Sequence, residues 1–332
     1  MMNRTLAWVL LVCVAIGLGI SLLGNLILGF IAFYPSSESK KFFREEYVMG
    51  KEHLNKKIAI IDLRGGIGFS DSGIVGTSMV DDLVLQLRQA EDDSDVVAIV
   101  IQMDSPGGEV TASDVLFHEI SRVNQGKPVI TYMNSTAASG AYYAAMGSRY
   151  IIANELCITA SIGVIMQVIN YERLSDFIGL KTFTFKSGAM KDLLNPSRTP
   201  TEEEKSYVQG LINEAYDKFV KIVATGRKLD ETKLRQGVAD GRIVSGKTAL
   251  SLGLVDANGY LEDAVRQACK IAKVDEQTPA FRYVAPFRLG SLFDLFGKAT
   301  VQPAKVQLEI IPENMELKAG NLYYISPHLF AR

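Results

Sequence analysis

Val96-Val97-Ala98-Ile99-Val100-Ile101-Gln102-Met103 is a β-rich apolar run. It breaks at Asp104-Ser105-Pro106-Gly107-Gly108 and gives way to helical spacing from Val110 to Val123. A strand, a Gly/Pro turn and a helix in that order read as one unit of an α/β domain. Similar units flank it. Upstream, Ile58-Ala59-Ile60-Ile61-Asp62-Leu63 is a buried-strand run, Gly65, Gly66, Gly68 and Gly73 mark a turning stretch, and Val80 to Ala90 carries apolar residues at helical spacing. Downstream, Pro128 to Met133 reads as a third strand ending at the small-residue segment Ser135 to Ala141, and a helical pattern runs from Tyr142 to Met146. Strands alternating with helices predict an α/β domain with parallel strands. Glu202 to Thr225 reads as a long amphipathic helix, opened by a capping box of Thr201 and Glu204.

The whole chain has 332 residues, 48% of them apolar, enough for one or two domains with an ample core. Its 35 Lys+Arg nearly balance 37 Asp+Glu, so the net charge of −2 gives no electrostatic case for a nucleic-acid partner. Cys13, Cys157 and Cys269 are too few for a disulfide scaffold and lack metal-binding spacing. The histidines are His53, His118 and His328 alone, which argues against a mechanism with several His ligands and leaves a Ser-His triad few candidates.

Near the N-terminus, Leu6 to Tyr34 carries no charge. At 1.5 Å per helical residue it exceeds the ~30 Å of bilayer hydrocarbon. Trp8 and Tyr34 stand near its ends, where amphipathic rings favour the interface, and Asn25 is the one amide within it. The run is too long for the apolar region of a cleaved signal peptide, and Phe30-Ile31-Ala32-Phe33-Tyr34 is a poor cleavage site. The expected organisation is a short tail (1–5), a transmembrane anchor (6–34), a juxtamembrane linker (35–56), a catalytic-type domain (57–270) and a proline-interrupted C-terminal segment (271–332) serving as tail or assembly element. Arg4 upstream against Lys40, Lys41, Arg44 and Lys51 downstream disfavours an outward-facing body by the positive-inside count.

Four segments have residue types suited to chemistry. Asp104-Ser105-Pro106-Gly107-Gly108 lets the backbone approach a ligand and aim amides at it, or is an ordinary turn. Ser139, in Ser135-Thr136-Ala137-Ala138-Ser139-Gly140, stands where a strand meets a helix. There it either presents a nucleophilic hydroxyl or caps the helix, and its spacing is not that of the α/β-hydrolase elbow. Ser161 places a hydroxyl in the apolar stretch Ile158 to Val164, where bonding to backbone is the simpler reading. A nucleophilic serine needs a base. No histidine is well placed by context, whereas Lys186 and Lys191 lie in Phe185-Lys186-Ser187-Gly188-Ala189-Met190-Lys191-Asp192. A lysine can be that base if its surroundings keep it neutral, although most lysines are solvated surface charges.

In this order the motifs resemble peptidase family S49, in its short single-domain signal peptide peptidase form. The matching segments are Asp104 to Gly108, Ala137 to Gly140, Thr159 to Val164, Ser187 to Asp192, Pro196-Ser197-Arg198, Glu202 to Glu204, Asp240-Gly241-Arg242 and Gly253 to Asp256, spread over roughly residues 57–265. The resemblance implies a Clp-protease/crotonase-like α/β fold behind one transmembrane helix. It implies Ser139 as nucleophile, Lys191 as general base, Ser161 as the hydroxyl that holds the lysine, and the amides of Gly108 and Gly140 as oxyanion hole. It implies no metal or organic cofactor. The implied task is hydrolysis, through an acyl-enzyme, of remnant signal peptides and other membrane-derived peptides. The implied setting is a homo-oligomer at the bacterial cytoplasmic membrane, in contact with lipid, single-pass with its body outward, and with Ser and Lys drawn from adjacent protomers. Two neighbouring readings are a stomatin-associated membrane serine peptidase and a non-catalytic crotonase-like membrane assembly protein. The lack of a second spanning run after Lys270 disfavours the first, and the presence of both Ser139 and Lys191 disfavours the second.

Overall fold

The computed structural model describes residues 4–33, 43–52, 54–69, 78–284 and 322–325. The chain divides into two units, one up to Lys41 and one from Phe42 onward.

The first unit contains helix α1, Arg4–Phe33. Its described side chains, Trp8 and residues 11–26, are apolar apart from Ser21 and Asn25 and are mostly exposed, with Leu11, Val14, Leu18 and Leu22 along one stripe and Val12, Ile16, Ile20 and Leu23 along another. Asn25 donates its amide to the Ser21 carbonyl at 2.8 Å, so that amide is satisfied within the helix. Among the described residues no helix is long and apolar enough to cross a membrane. The transmembrane anchor expected over residues 6–34 is therefore not shown by the structure.

The second unit is an α/β body. In chain order its elements are β1 (Arg44–Met49), β2 (Lys57–Arg64), α2 (Met79–Asp92), β3 (Val96–Ser105), β4 (Gly107–Glu109), α3 (Val110–Gly126), β5 (Val129–Ala138), α4 (Gly140–Ala145), β6 (Tyr150–Ala153), β7 (Ile158–Ala160), α5 (Glu172–Phe177), a 3-10 turn (Ala189–Asp192), α6 (Glu202–Arg227), α7 (Glu231–Gln236), β8 (Ile243–Ser245), α8 (Gly246–Ser251), β9 (Ala257–Asn258), α9 (Leu261–Ala272), β10 (Ala280–Val284) and β11 (Tyr323–Ile325). The main sheet runs β1-β10-β2-β3-β5-β6-β9, with β7 added beside β5 and β8 beside β7. Most of its pairings are parallel. Those of β1 with β10 and of β7 with β8 are antiparallel, so the sheet is mixed rather than wholly parallel.

Strand periodicity explains why the central runs are apolar throughout. Successive residues point to opposite faces, and both faces are covered. Ile61, Leu63, Ile101, Met103 and Met133 pack with side chains of α2, α3, α4 and α6. Ile58, Ile60, Val100 and Ile130 pack with Ala264, Val265, Ala268 and Cys269 of α9. The capping box at α6 is present, with Thr201 Oγ1 accepting from Glu204 N at 3.2 Å and Glu204 Oε2 accepting from Thr201 N at 2.8 Å.

Three segments differ from the sequence reading. The stretch 35–56 is not only a linker, because Arg44–Met49 forms β1. This is an edge strand of charged residues, whose composition hides a β signal. It is held partly by Lys57, whose ammonium lies 2.8 Å from Glu45 and 2.9 Å from Asp93. The stretch 271–332 is not only a tail, because β10 lies inside the sheet between β1 and β2. Pro279 precedes β10 and its carbonyl accepts from Ile58 N at 2.8 Å, so a proline that reads as a breaker marks the strand entry. The third strand does not stop at Met133 but continues to Ala138, where Thr136 to Ala138 pair with β7.

Candidate active site

Ser139 sits at the junction of β5 and α4, the place where its residue type allowed two readings. It does not cap the helix: its side chain makes no capping hydrogen bond. Its backbone takes φ 55° and ψ −113°, a conformation that non-glycine residues seldom adopt. The hydroxyl is fully buried and its Oγ has no hydrogen-bond partner among the described residues. A buried hydroxyl without a partner and a strained backbone are each costly, and functional sites are where such costs persist.

The surrounding backbone fixes this geometry. Ser139 N donates to the Ala160 carbonyl at 2.7 Å, and the Ser139 carbonyl accepts from Tyr143 N at 2.8 Å. Ala160 and Ser161 also have positive φ, 62° and 53°. Ser161 is buried, its N donates to the Arg242 carbonyl at 2.9 Å, and its hydroxyl donates to the Gly241 carbonyl at 3.2 Å. The simple reading of Ser161, a hydroxyl bonded to backbone, therefore holds within this chain. The bond uses only the hydroxyl proton and leaves the oxygen able to accept.

Gly107 and Gly108 form β4 rather than a turn. Gly107 has φ 99°, and Ser105 Oγ accepts from its N at 3.2 Å. At Gly108 a Cβ would meet the Ile67 carbonyl oxygen at 1.9 Å, so no side chain fits there. On its other edge β4 pairs antiparallel with β11, Tyr323 opposite Glu109 and Ile325 opposite Gly107. Val110 N donates to the Leu322 carbonyl, and Ile165 exchanges two backbone hydrogen bonds with Tyr323, each 3.0 Å. A length of extended chain thus lies along the glycine strand. Helix α4, which starts at Gly140, packs against both β4 and β11. Ser139, Gly140, Gly108 and Ser161 therefore belong to one neighbourhood.

Lys191 makes no hydrogen bond to any of them among the described residues. It is exposed on the 3-10 turn Ala189–Asp192, and no hydrogen bond of its Nζ is found among the described residues. The segment carrying it is open to solvent, with Ile169, Leu174, Phe177, Ile178, Phe183 and Phe185 all exposed. Asp192, next to it, is engaged elsewhere: Oδ1 accepts from Lys186 Nζ at 2.5 Å and Oδ2 from Arg198 Nε at 2.9 Å. Arg198 foremost, and Lys186 after it, hold the Asp192 carboxyl well below the usual carboxylate range. Lys186 is thus more than a solvated charge. Sequence reasoning missed this ion cluster, whose only legible part was the capping box. His118 lines a groove on α3 with Arg88, Asp114 and Lys218, of which Ser139 is not a part, while His53, His328 and Gly73 lie outside the described residues.

The profile of peptidase family S49 matches residues 121–275, which include Ser139, Ser161 and Lys191. An Enterococcus faecium protein named "Putative signal peptide peptidase SppA" is 36% identical over 250 residues, covering 74% of this chain and 71% of its own. The chain belongs to peptidase family S49. A Synechocystis protein named "Putative protease slr0021" is 38% identical over 225 residues, covering 68% of this chain and 78% of its own. A chloroplast protein of Arabidopsis thaliana named serine protease SPPA is 32% identical over 245 residues, covering 72% of this chain and 36% of its own. As an S49 member the chain is a serine peptidase.

The backbone at Ser139 generates a stability prediction. Glycine adopts φ 55° without penalty, so Ser139→Gly should relieve strain of about 1–3 kcal/mol, whereas Ser139→Ala should keep it. Thermal unfolding of the two full-length variants should show the glycine form as the more stable. Equal stability would mean that Ser139 is not strained.

Proposed function

We propose that this chain is a membrane-anchored serine endopeptidase that hydrolyses remnant signal peptides, and that it acts as a homo-oligomer whose active sites are completed between protomers. The observation that carries the proposal is the state of Ser139: a buried, strained hydroxyl that no base hydrogen-bonds among the described residues. Lys191 is the complementary half, an exposed lysine on a segment of open apolar side chains suited to docking on a second copy.

In the assembled site Ser139 Oγ attacks the scissile carbonyl while a neighbour's lysine at position 191 takes its proton. The amides of Gly108 and Gly140 stabilise the oxyanion that forms. Collapse of the tetrahedral intermediate expels the amine, which takes the proton back from the lysine. Water, deprotonated by the same lysine, then hydrolyses the ester and frees Ser139. The Ser161 oxygen, its proton committed to Gly241, accepts from the lysine and orients it. An ordinary lysine is almost wholly charged at neutral pH, so the site must desolvate the amine for it to act as base. The peptide enters as an extended strand beside Gly107–Glu109, in the lane that β11 takes in this structure.

The substrate class and the setting draw on three supports. One is the naming of the Enterococcus relative as a signal peptide peptidase, another is the uncharged run from Leu6 to Tyr34, and the last is the apolar girdle of α1. In this reading α1 is the anchor in the bacterial cytoplasmic membrane and the body faces outward, where cleaved signal peptides are within reach.

Subunit sharing has a direct test. Ser139→Ala and Lys191→Ala chains should each be inactive, and co-assembled they should regain activity, because some boundaries then carry both intact groups. Mixed oligomers that stay inactive would place the pair within one chain. For topology, protease added to intact spheroplasts should release the body from the anchor. Complete protection until the membrane is broken would overturn the outward orientation.

A further inference from the structure

The turn that carries Lys191 has no apolar anchor. None of Ala189, Met190, Lys191 and Asp192 is buried, and the backbone bonds that shape the turn, from Lys191 N to the Gly188 carbonyl and from Leu193 N to the Met190 carbonyl, are local. Such a turn keeps its shape but not its place. A general base, by contrast, must be held within about 0.5 Å of its working position.

What ties the turn to the body is Arg198. Its Nε donates to Asp192 Oδ2 at 2.9 Å and its Nη2 to the Asp192 carbonyl at 3.1 Å. Its Nη1 donates to Glu204 Oε2 at 2.8 Å, and Nη2 also reaches Glu204 Oε1. Glu204 is buried in the first turn of α6 and closes the capping box with Thr201. A single planar guanidinium therefore links the residue next to Lys191, through both its side chain and its backbone, to the rigid start of a 26-residue helix.

We propose that Arg198 is a positioning residue for the peptidase reaction: it fixes Lys191 in place and keeps the Asp192 charge from acting on the Lys191 amine. The inference rests on the reading of Lys191 as base. The charged groups hydrogen-bonded into this cluster are Lys186 on the preceding loop, Asp192 on the turn, Arg198 after it, Glu204 on α6 and, through Thr199, Glu172 on α5, while Glu202, Glu203 and Lys205 of the same α6 turn are exposed and Glu202 pairs with Lys205. Lys186 and Arg198 balance Asp192 and Glu204. A carboxylate left uncompensated beside an amine strengthens its hold on the proton, and an uncompensated cation weakens it. Arg198 also holds Glu204 down at about 2 and keeps Asp192 well below the usual carboxylate range, so both acids stay ionised around neutral pH.

The test is the pH–rate profile of the full-length oligomer with a peptide substrate, comparing wild type, Arg198→Gln, Arg198→Lys, Asp192→Asn and Lys191→Arg. Arg198→Gln should lower kcat more than it raises KM and should move the rising limb of the profile to higher pH, by about one unit. Asp192→Asn should move that limb the opposite way. Arg198→Lys keeps the charge but cannot bridge both acids, so the limb should return towards the wild-type position while kcat stays depressed at least tenfold. A merely structural role would lower melting temperature and oligomer yield in all three variants and leave the limb in place. That result would overturn the proposal. If Arg198→Gln fails to assemble, the Asp192→Asn limb decides: an unmoved or alkaline-shifted limb counts against it. Lys191→Arg separates the two claims. Its inactivity beside unshifted Arg198 and Asp192 variants sinks only the positioning role, whereas robust activity in Lys191→Arg sinks the base assignment itself.

Discussion

Ser139 can hold φ 55° and ψ −113° only because its surroundings leave the chain no other course. On one side β5 is fixed in the sheet between β3 and β6, and its end pairs with β7. On the other, α4 is anchored by two fully buried tyrosines. Tyr142 donates its hydroxyl to the Leu254 carbonyl at 2.8 Å, and Tyr143 donates to Asp114 at 2.6 Å while its ring packs edge-on against Phe117 and Phe219. The hydrogen bond from Ser139 N to the Ala160 carbonyl closes the junction. A strand that cannot shift and a helix that cannot rotate impose the dihedral on the residue between them. The short α4 is thus less a secondary-structure element than a peg that keeps the hydroxyl in place.

A second constraint is electrostatic. In the proposed mechanism Lys191 accepts a proton and cannot share its site with a free carboxylate, yet Asp192 is its immediate neighbour in sequence. The fold resolves this by giving both Asp192 oxygens to Lys186 and Arg198. The surroundings of Ser139 are arranged differently. Around Ser139 the site is made of backbone, small side chains and hydroxyls, with glycine required at Gly108 by the Ile67 carbonyl. In the proposed mechanism one half of the chemistry is built from a tightly packed core, and the other is carried on an exposed arm steered by ion pairs. This division suits a site completed on assembly.

The elements best read from sequence are those whose signal is local. The runs Ile58 to Leu63 and Val96 to Met103 are apolar because both faces of their strands are buried, and α6 announces itself through the Thr201 and Glu204 pair. Where sequence reading fell short, the determining partner is remote. β1 is a strand because it pairs with β10, a contact spanning most of the chain, and β10 because it also pairs with β2, and charge or proline masked their β character. Ser139 was ambiguous between cap and nucleophile for the same reason, since only the tertiary junction shows that its hydroxyl caps nothing. The order of the motifs carried the family, while single residues did not: Arg198 stood in a matching segment with no role that its spacing could reveal. The bridge to Glu204 exists only once the turn and α6 are folded together.

The central claim is that Ser139 carries the covalent chemistry. Its most direct test is to treat the assembled full-length protein with a serine-reactive fluorophosphonate and map the adduct by mass spectrometry. The account predicts one phosphonylated peptide, modified at Ser139, and no adduct in Ser139→Ala. A dominant adduct on another serine, or undiminished labelling of Ser139→Ala, would contradict it.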